Sequence, residues 1–131
     1  MDCIFCKIVS GEIPSTKICE DEKCLVFLDI NPVTYGHVLL IPKEHYQTMA
    51  DTPDELIAHL FVKAKWLMPR IKKAMDADYI GLSVVGTEVP HLHIHLIPRK
   101  FNDGLAHFWP TIKYGEGEKA KVAAKIIKEL V

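Results

Sequence analysis

The run Val89, Pro90, His91, Leu92, His93, Ile94, His95, Leu96, Ile97, Pro98, Arg99 decides how this chain is read. Side chains alternate between the two faces of an extended strand, so His91, His93 and His95 point one way while Leu92, Ile94 and Leu96 point the other. One face is apolar and the other is imidazole. A helix would scatter the three rings around its surface, and Pro90 and Pro98 fence the run, so the spacing predicts a strand over 91–98. A lone histidine on a half-buried strand needs no function to explain it. Three in strict alternation over an apolar reverse face point to a site, because imidazole suits nucleophilic, proton-transfer or metal chemistry near neutral pH.

The chain has 131 residues, enough for one domain with a core and too few for two. Hydrophobic residues make up 49% and charged residues 25%, the balance of a globular protein, and a net charge of -1 advertises neither a nucleic-acid nor a membrane partner. No apolar run reaches membrane-spanning length and no signal-peptide pattern opens the sequence, so the expected location is cytoplasmic. In that reducing setting four cysteines read as metal ligands or buried thiols in preference to disulfides. Cys3 and Cys6 form a Cys-x-x-Cys pair. Cys19 and Cys24 flank a polar turn and read as small core residues of a hairpin.

Upstream of the histidine run, Ile4, Phe5, Ile8 and Val9 recur at helical spacing and Gly11 is placed to stop them, which predicts a short helix. Stretches 17–20 and 24–28 read as strands joined by an acidic turn, closed by Asp29-Ile30-Asn31-Pro32. The next strand runs from Gly36 to Pro42, with His37, Leu39 and Ile41 on one face and Val38 and Leu40 on the other; so apolar a strand belongs mid-sheet. Thr52-Pro53-Asp54-Glu55 carries a capping-box pattern that should open a long helix. Leu56, Leu60, Ala64, Leu67, Ile71 and Ala74 form its apolar stripe, and Pro69 predicts a kink or break. Residues 79–85 read as a fourth strand, linked to the histidine strand through Gly86-Thr87-Glu88. A loop with glycine, proline and aromatics follows Lys100, and 118–130 returns to helical periodicity with Val122, Ala123, Ile126, Ile127 and Leu130 on one face. Strands before and after one long helix, without regular alternation, indicate an α+β domain on an antiparallel sheet, one domain over 1–131.

The histidine run, continued by Ile97, Pro98 and Arg99, resembles the active-site strand of the histidine triad family of nucleotidyl hydrolases and transferases. Cys3-Ile4-Phe5-Cys6-Lys7-Ile8, Phe27-Leu28-Asp29-Ile30-Asn31-Pro32 and Gly36-His37-Val38-Leu39-Leu40-Ile41-Pro42-Lys43-Glu44-His45 are similar to the family's other landmarks, in the family's order. The likeness covers roughly the first hundred residues, and 101–131 matches less well. It implies a five-stranded antiparallel sheet packed by the long helix, with a short N-terminal and a C-terminal helix, and a homodimer whose two sheets join.

A neutral imidazole with one nitrogen engaged as a donor leaves the other free to attack phosphorus, and the middle ring is flanked by its siblings. By resemblance, His93 is the nucleophile on the α-phosphorus of a purine nucleotide conjugate, His91 supports it, His95 binds the phosphoryl oxygens, and His37 orients the triad. A core histidine satisfied by one carbonyl is the equal alternative for His37 on the residues alone. The resemblance also places the ribose on Asp29, and Ile4, Phe5, Ile8, Leu28 and Ile30 could form the slot for the base, though each would serve equally as core. Two thiols at the Cys3 and Cys6 spacing supply half of a tetrahedral zinc shell, which two imidazoles could complete. His45 and His91 are the candidates. Some family members carry a structural zinc on four such positions, all filled here.

The chain departs from the family in a contracted segment, Ser83-Val84-Val85-Gly86-Thr87-Glu88, where many members end in Gly-Gln and then Ser or Thr. Glu88 in place of a hydroxyl could serve as an acid or face solvent, and solvent is the preferred reading. Trp109 is expected to pack on its own domain in preference to a neighbouring protomer's pocket. The expected activity is hydrolysis of nucleoside 5'-monophosphate conjugates of the phosphoramidate type through a nucleotidyl-histidine. Dinucleoside polyphosphate hydrolysis or nucleotidyl transfer, a nucleotide-binding module with little turnover, and a catalytic metal on the three histidines are the competing readings.

Overall fold

The computed structural model describes residues 2–105 and 110–130. In chain order the elements are α1 (Ile4–Val9), β1 (Lys17–Glu20), β2 (Cys24–Leu28), β3 (Val38–Pro42), α2 (Asp54–Ala74), β4 (Tyr79–Ser83), β5 (Ile94–Arg99) and α3 (Glu118–Glu129). One antiparallel sheet takes all five strands in the order β1-β2-β3-β5-β4, so β3 and β5 lie inside it. This is the expected α+β architecture.

Alternation along β2, β3 and β5 sends side chains to two separate cores. On one side Val26, Val38, Leu40, Leu92, Ile94 and Leu96 pack against Leu60, Ala64, Leu67 and Ile71 of α2. On the other Leu25, Phe27, Leu39 and Ile41 pack against Cys3 and Phe5, so the short α1 caps the face on which the histidines sit. Leu60, Ala64, Leu67 and Ile71 of the α2 stripe are buried as its period predicts, while Leu56 at its start is half-buried and Ala74 at its end is exposed. Cys24 is buried and Cys19 half-buried against the first core, and no cysteine is disulfide-bonded.

Four expectations of detail are corrected. The ladder of β5 starts at Ile94, three residues later than the histidine pattern predicts. The register Val38↔Leu96, Leu39↔His95, Leu40↔Ile94 would next set Pro42 against Leu92, and Pro42 has no N–H to donate. Leu92 N–H donates instead to the Tyr46 carbonyl at 2.7 Å, and His91 N–H to the Val89 carbonyl at 2.8 Å. The alternation of faces nevertheless survives, with Leu92 in the α2 core and His91 and His93 stacked edge-on against Phe5.

The capping box does not form. Pro53 is the N-cap of α2 and makes no side-chain cap, while the Thr52 hydroxyl donates to the Thr48 carbonyl at 2.8 Å. Asp54 and Glu55 in the first turn complement the helix dipole instead. Of the two outcomes expected at Pro69, the break does not occur, since α2 runs as one element; Lys65, whose carbonyl loses a donor, is on the exposed side, where water can replace it. The fourth strand stops at Ser83, two residues short of the expected end. No helix among the described residues is long and apolar enough to cross a membrane. Trp109 lies outside the described residues.

Candidate active site

Five histidines gather on the α1 side of the sheet because β3 and β5 are antiparallel neighbours: His37, before β3, stands beside His95, and His45, after β3, stands beside His91. His37, immediately before β3, meets His95, opposite Leu39 on β5: His37 Nε2 and His95 Nδ1 are 2.9 Å apart. Val33 N–H donates to His37 Nδ1 at 3.0 Å. That nitrogen is therefore an acceptor, the proton of the neutral ring resides on Nε2, and it is donated to His95 Nδ1. His95 must in turn carry its own proton on Nε2. The carboxylate Oδ2 of Asp29 stands 3.6 Å from His37 Nε2, and its Oδ1 accepts from Asn31 N–H at 2.9 Å.

The same accounting orients the middle ring. His93 Nδ1 lies 2.7 Å from the His91 carbonyl, which can only accept, so Nδ1 carries the proton and Nε2 keeps a lone pair. His91 Nε2 similarly donates to the Pro42 carbonyl at 2.9 Å, leaving its Nδ1 as an acceptor. Among the described residues no buried side-chain nitrogen or oxygen lacks a partner. Of the His37, His91, His93 and His95 rings, His93 Nε2 and His95 Nε2 are left without a partner among the described residues, and both residues line the adjoining cavities. Burial pushes the pKa of His37, His91 and His95 below the ordinary histidine value, which keeps these rings neutral near pH 7.

Two cavities meet at these rings. One of 230 Å³ is lined by all six residues expected on the nucleoside side: Ile4, Phe5, Ile8, Leu28, Asp29 and Ile30. Ile30 is 87% exposed and Ile4 45%, a poor arrangement for core residues and a suitable one for the walls of a slot. The other, of 240 Å³, is lined by His37, Ser83, Thr87 and Glu88 among others. Glu88, His93 and His95 line both. The slot also takes Ile13, Pro14 and Ser15 from the loop before β1, which nothing in the sequence pattern picks out. A Leu28 N–H bond to the Thr16 carbonyl, 2.9 Å long, draws that loop over the slot.

Behind His91 lies a second cluster. Cys3, Cys6, His45 and His91 bring one donor atom each within 4.8 Å of one another. Cys3 Sγ and His91 Nδ1 are 3.3 Å apart, Cys6 Sγ and His45 Nδ1 3.3 Å, and the two Nδ1 atoms 3.1 Å. Around a zinc ion with metal–sulfur and metal–nitrogen bonds of about 2.3 and 2.0 Å, tetrahedral edges are about 3.3–3.8 Å. Donor type, number and separation all suit the ion. Cys3 and Cys6 come from the start of α1, His45 from the loop after β3 and His91 from the approach to β5, so the cluster ties three segments together.

The HIT domain family matches residues 10–102, most of the chain and every one of its strands. The chain belongs to the HIT family. Adenylylsulfatase HINT3 of Arabidopsis thaliana is 44% identical over 109 residues, 79% of this chain, which spans 55% of that relative's length. Adenosine 5'-monophosphoramidase HNT1 of Saccharomyces cerevisiae is 37% identical over 98% of this chain and 82% of its own. Among solved structures, a zinc-bound histidine triad family protein of Mycobacterium smegmatis superposes with a TM-score of 0.77 at 31% identity, covering 100% of this chain and 99% of the other. The two named relatives are an adenylylsulfatase and an adenosine 5'-monophosphoramidase, and the family match runs from before β1 to beyond β5, over the strands that carry the histidine site of this HIT protein.

Proposed function

We propose that this HIT protein is a nucleotidyl hydrolase that cleaves nucleoside 5'-monophosphate conjugates, phosphoramidates first among them, through a covalent nucleotide on His93. One observation carries the reading: His93 Nδ1 is held by the His91 carbonyl at 2.7 Å, so that the Nε2 lone pair is left at the junction of two cavities. A purine base would enter the slot of Ile4, Phe5, Ile8, Leu28 and Ile30, and Asp29 would accept from the ribose hydroxyls.

The steps follow from the tautomers. His93 Nε2 attacks the α-phosphorus; a phosphorus–nitrogen bond forms on the ring as the bond to the leaving nitrogen breaks with its electron pair. The departing amine takes the proton of His95 Nε2 as its bond to phosphorus breaks, and the negative charge left on that ring is shared with His37 through the Nε2–H hydrogen bond to His95 Nδ1 until the proton is returned. Water then attacks the phosphorus, gives a proton back to His95, and releases the nucleoside monophosphate with His93 restored. Until the amine takes its proton, the single His95 Nε2–H is the donor facing the phosphoryl group, where negative charge grows. His91 takes no part in bond making; it fixes the ring that does.

Dinucleoside polyphosphate hydrolysis and nucleotidyl transfer would use the same nucleophile. No lysine or arginine lines either cavity among the described residues, so nothing there receives additional phosphates, and this favours a conjugate with one phosphorus. Mass spectrometry of protein quenched during turnover of an adenosine phosphoramidate should show an adenylyl group on His93. Turnover without that group would remove the mechanism. Stoichiometric binding without turnover would leave a nucleotide-binding module.

Zinc on Cys3, Cys6, His45 and His91 would be structural, fixing His91 and thereby the carbonyl that holds His93. Metal analysis of unchelated protein should give about one zinc per chain. A homodimer completes the proposal, since β4 is an edge strand and α3 has no residue buried among the described residues. Sedimentation at micromolar concentration tests it.

A further inference from the structure

We propose that Glu88 makes the second cavity a subsite for positively charged leaving groups, so that preferred substrates join the nucleotide through nitrogen to an amine bearing a second, protonated amine. This deepens the nucleotidyl hydrolase reading and rests on it. With the nucleoside in the apolar slot and its phosphorus at His93, the leaving group has the 240 Å³ cavity left to occupy, and Glu88 stands where the two cavities join. The charged side chains that line the two cavities among the described residues are Asp29 and Glu88, both acidic. Burial keeps His37 and His95 toward the neutral form, so they do not offset the carboxylates. Asp29 lines the slot alone, so on the leaving-group side Glu88 is the full charge.

The fold has no use for that carboxylate. Glu88 is exposed, and neither a hydrogen bond nor an ion pair joins its side chain to any described residue. Its field is nevertheless felt at the site, where it favours the protonated form of His95. The contracted segment places it there: Gly86 turns the chain at φ +76, a left-handed conformation that a side chain would oppose although space is free around it. An anionic leaving group would meet this carboxylate with no cation to shield it. A neutral amine would gain nothing from it, and a cationic one would pair with it.

Three adenosine phosphoramidates of matched length test the assignment: those of 1,3-diaminopropane, n-butylamine and β-alanine, whose far ends are cationic, neutral and anionic. The intrinsic leaving ability of each amine is the same for every protein variant, so the ratio of kcat/KM values compared between variants isolates residue 88. In Glu88→Gln the preference for the cationic over the butyl conjugate should fall about three- to fivefold, the range of an exposed ion pair. Glu88→Asp should keep most of it, and Glu88→Lys should turn the preference toward the β-alanine conjugate. Raising salt to about 0.5 M should shrink the wild-type preference as screening shortens the reach of the carboxylate. If the ratios are the same in wild type, Glu88→Gln and Glu88→Lys while adenylyl-His93 still forms, the leaving-group subsite is wrong and the hydrolase stands. If no conjugate is cleaved and no adduct forms, the hydrolase reading itself fails.

Discussion

Two stretches of this HIT protein announce an apolar face through periodicity, and they meet different fates. In residues 91–99 the alternate residues Leu92, Ile94 and Leu96 are at most 2% exposed, sealed by α2, while the histidines between them find partners on the other side. In α3 no residue of the face of Val122, Ile126, Ile127 and Leu130 is fully buried by the described residues; Val122 is half-buried, and Ile126 and Ile127 remain 58% and 60% exposed. Periodicity states which side could be buried. It does not state what buries it. Only for β5 does the rest of the sequence supply the cover, through an α2 stripe of matching length.

The comparison is sharpest at His93, where the two sides of the β5 region separate function from stability. Replacing His93 with alanine should lower kcat by on the order of 10⁴-fold or more, because the nucleophile is gone and no neighbour has a free lone pair aimed at the same place. Thermal denaturation of the same variant should show a loss of only about 1–3 kcal/mol, from the His91 carbonyl left without its donor. Metal content should be unchanged, since His93 is not in the cysteine–histidine cluster. A variant that lost both turnover and metal would identify the three histidines as a catalytic metal site.

On the opposite side, Leu60→Ala or Leu67→Ala should cost about 2–5 kcal/mol by denaturant unfolding, as both are within 3% of full burial between α2 and the sheet. A cost below about 1 kcal/mol would mean that α2 seals β5 no better than α3 seals anything.

Acid should discriminate the faces as well. Burial lowers the pKa of His37 and His95 in the folded chain below the unfolded value of about 6.5. The unfolded state then binds more protons as pH falls through the interval between the two values, so the stability that these rings support is complete above about pH 6.5 and declines below it. Turnover should follow the folded values: the acid limb of kcat/KM should lie below that of a free histidine, because the neutral forms are the working ones. An acid limb at or above pH 6.5 would mean that the rings are charged in the resting site and that the tautomer chain from Val33 to His95 is wrong.

The sequence made most of the fold readable because strict period-2 and period-3.6 patterns survive wherever both partners of a contact are regular elements. It failed where one residue answers to two demands. Pro42 ends the β3–β5 ladder because a proline cannot donate, yet its carbonyl takes the His91 ring, and neither fact is visible in the alternation of Leu and His. Thr52 has the look of a helix cap, but α2 starts one residue later, with Pro53 at the cap, and the Thr52 hydroxyl donates back to the Thr48 carbonyl. The walls of the site divide the same way: Ile4, Phe5, Ile8, Leu28 and Ile30 sit on elements with a readable face, whereas Ile13, Pro14 and Ser15 arrive on a loop whose path is set by a long-range backbone bond. Glu88 reads as a solvent-facing carboxylate, and it is exposed; that it lines a cavity together with His93 depends on the path of the loop before β5, which no periodicity encodes.

The smallest effect is expected at α3, and it bears on the comparison most directly. Ile126→Ala removes an exposed side chain in the single chain, so dilute protein should lose no more than about 0.5 kcal/mol, the ordinary range for surface changes. If a second copy covers the α3 face, the same substitution should cost about 2–5 kcal/mol at concentrations where the chains are paired and far less where they are not. The measurement is therefore unfolding as a function of protein concentration, with and without Ile126→Ala. A cost that grows with concentration would mean that the apolar periodicity of α3 is as truthful as that of β5 and that its partner lies on another chain. A small cost at every concentration would mean that the periodicity of α3 has no buried counterpart, and that the homodimer, if it forms, joins elsewhere.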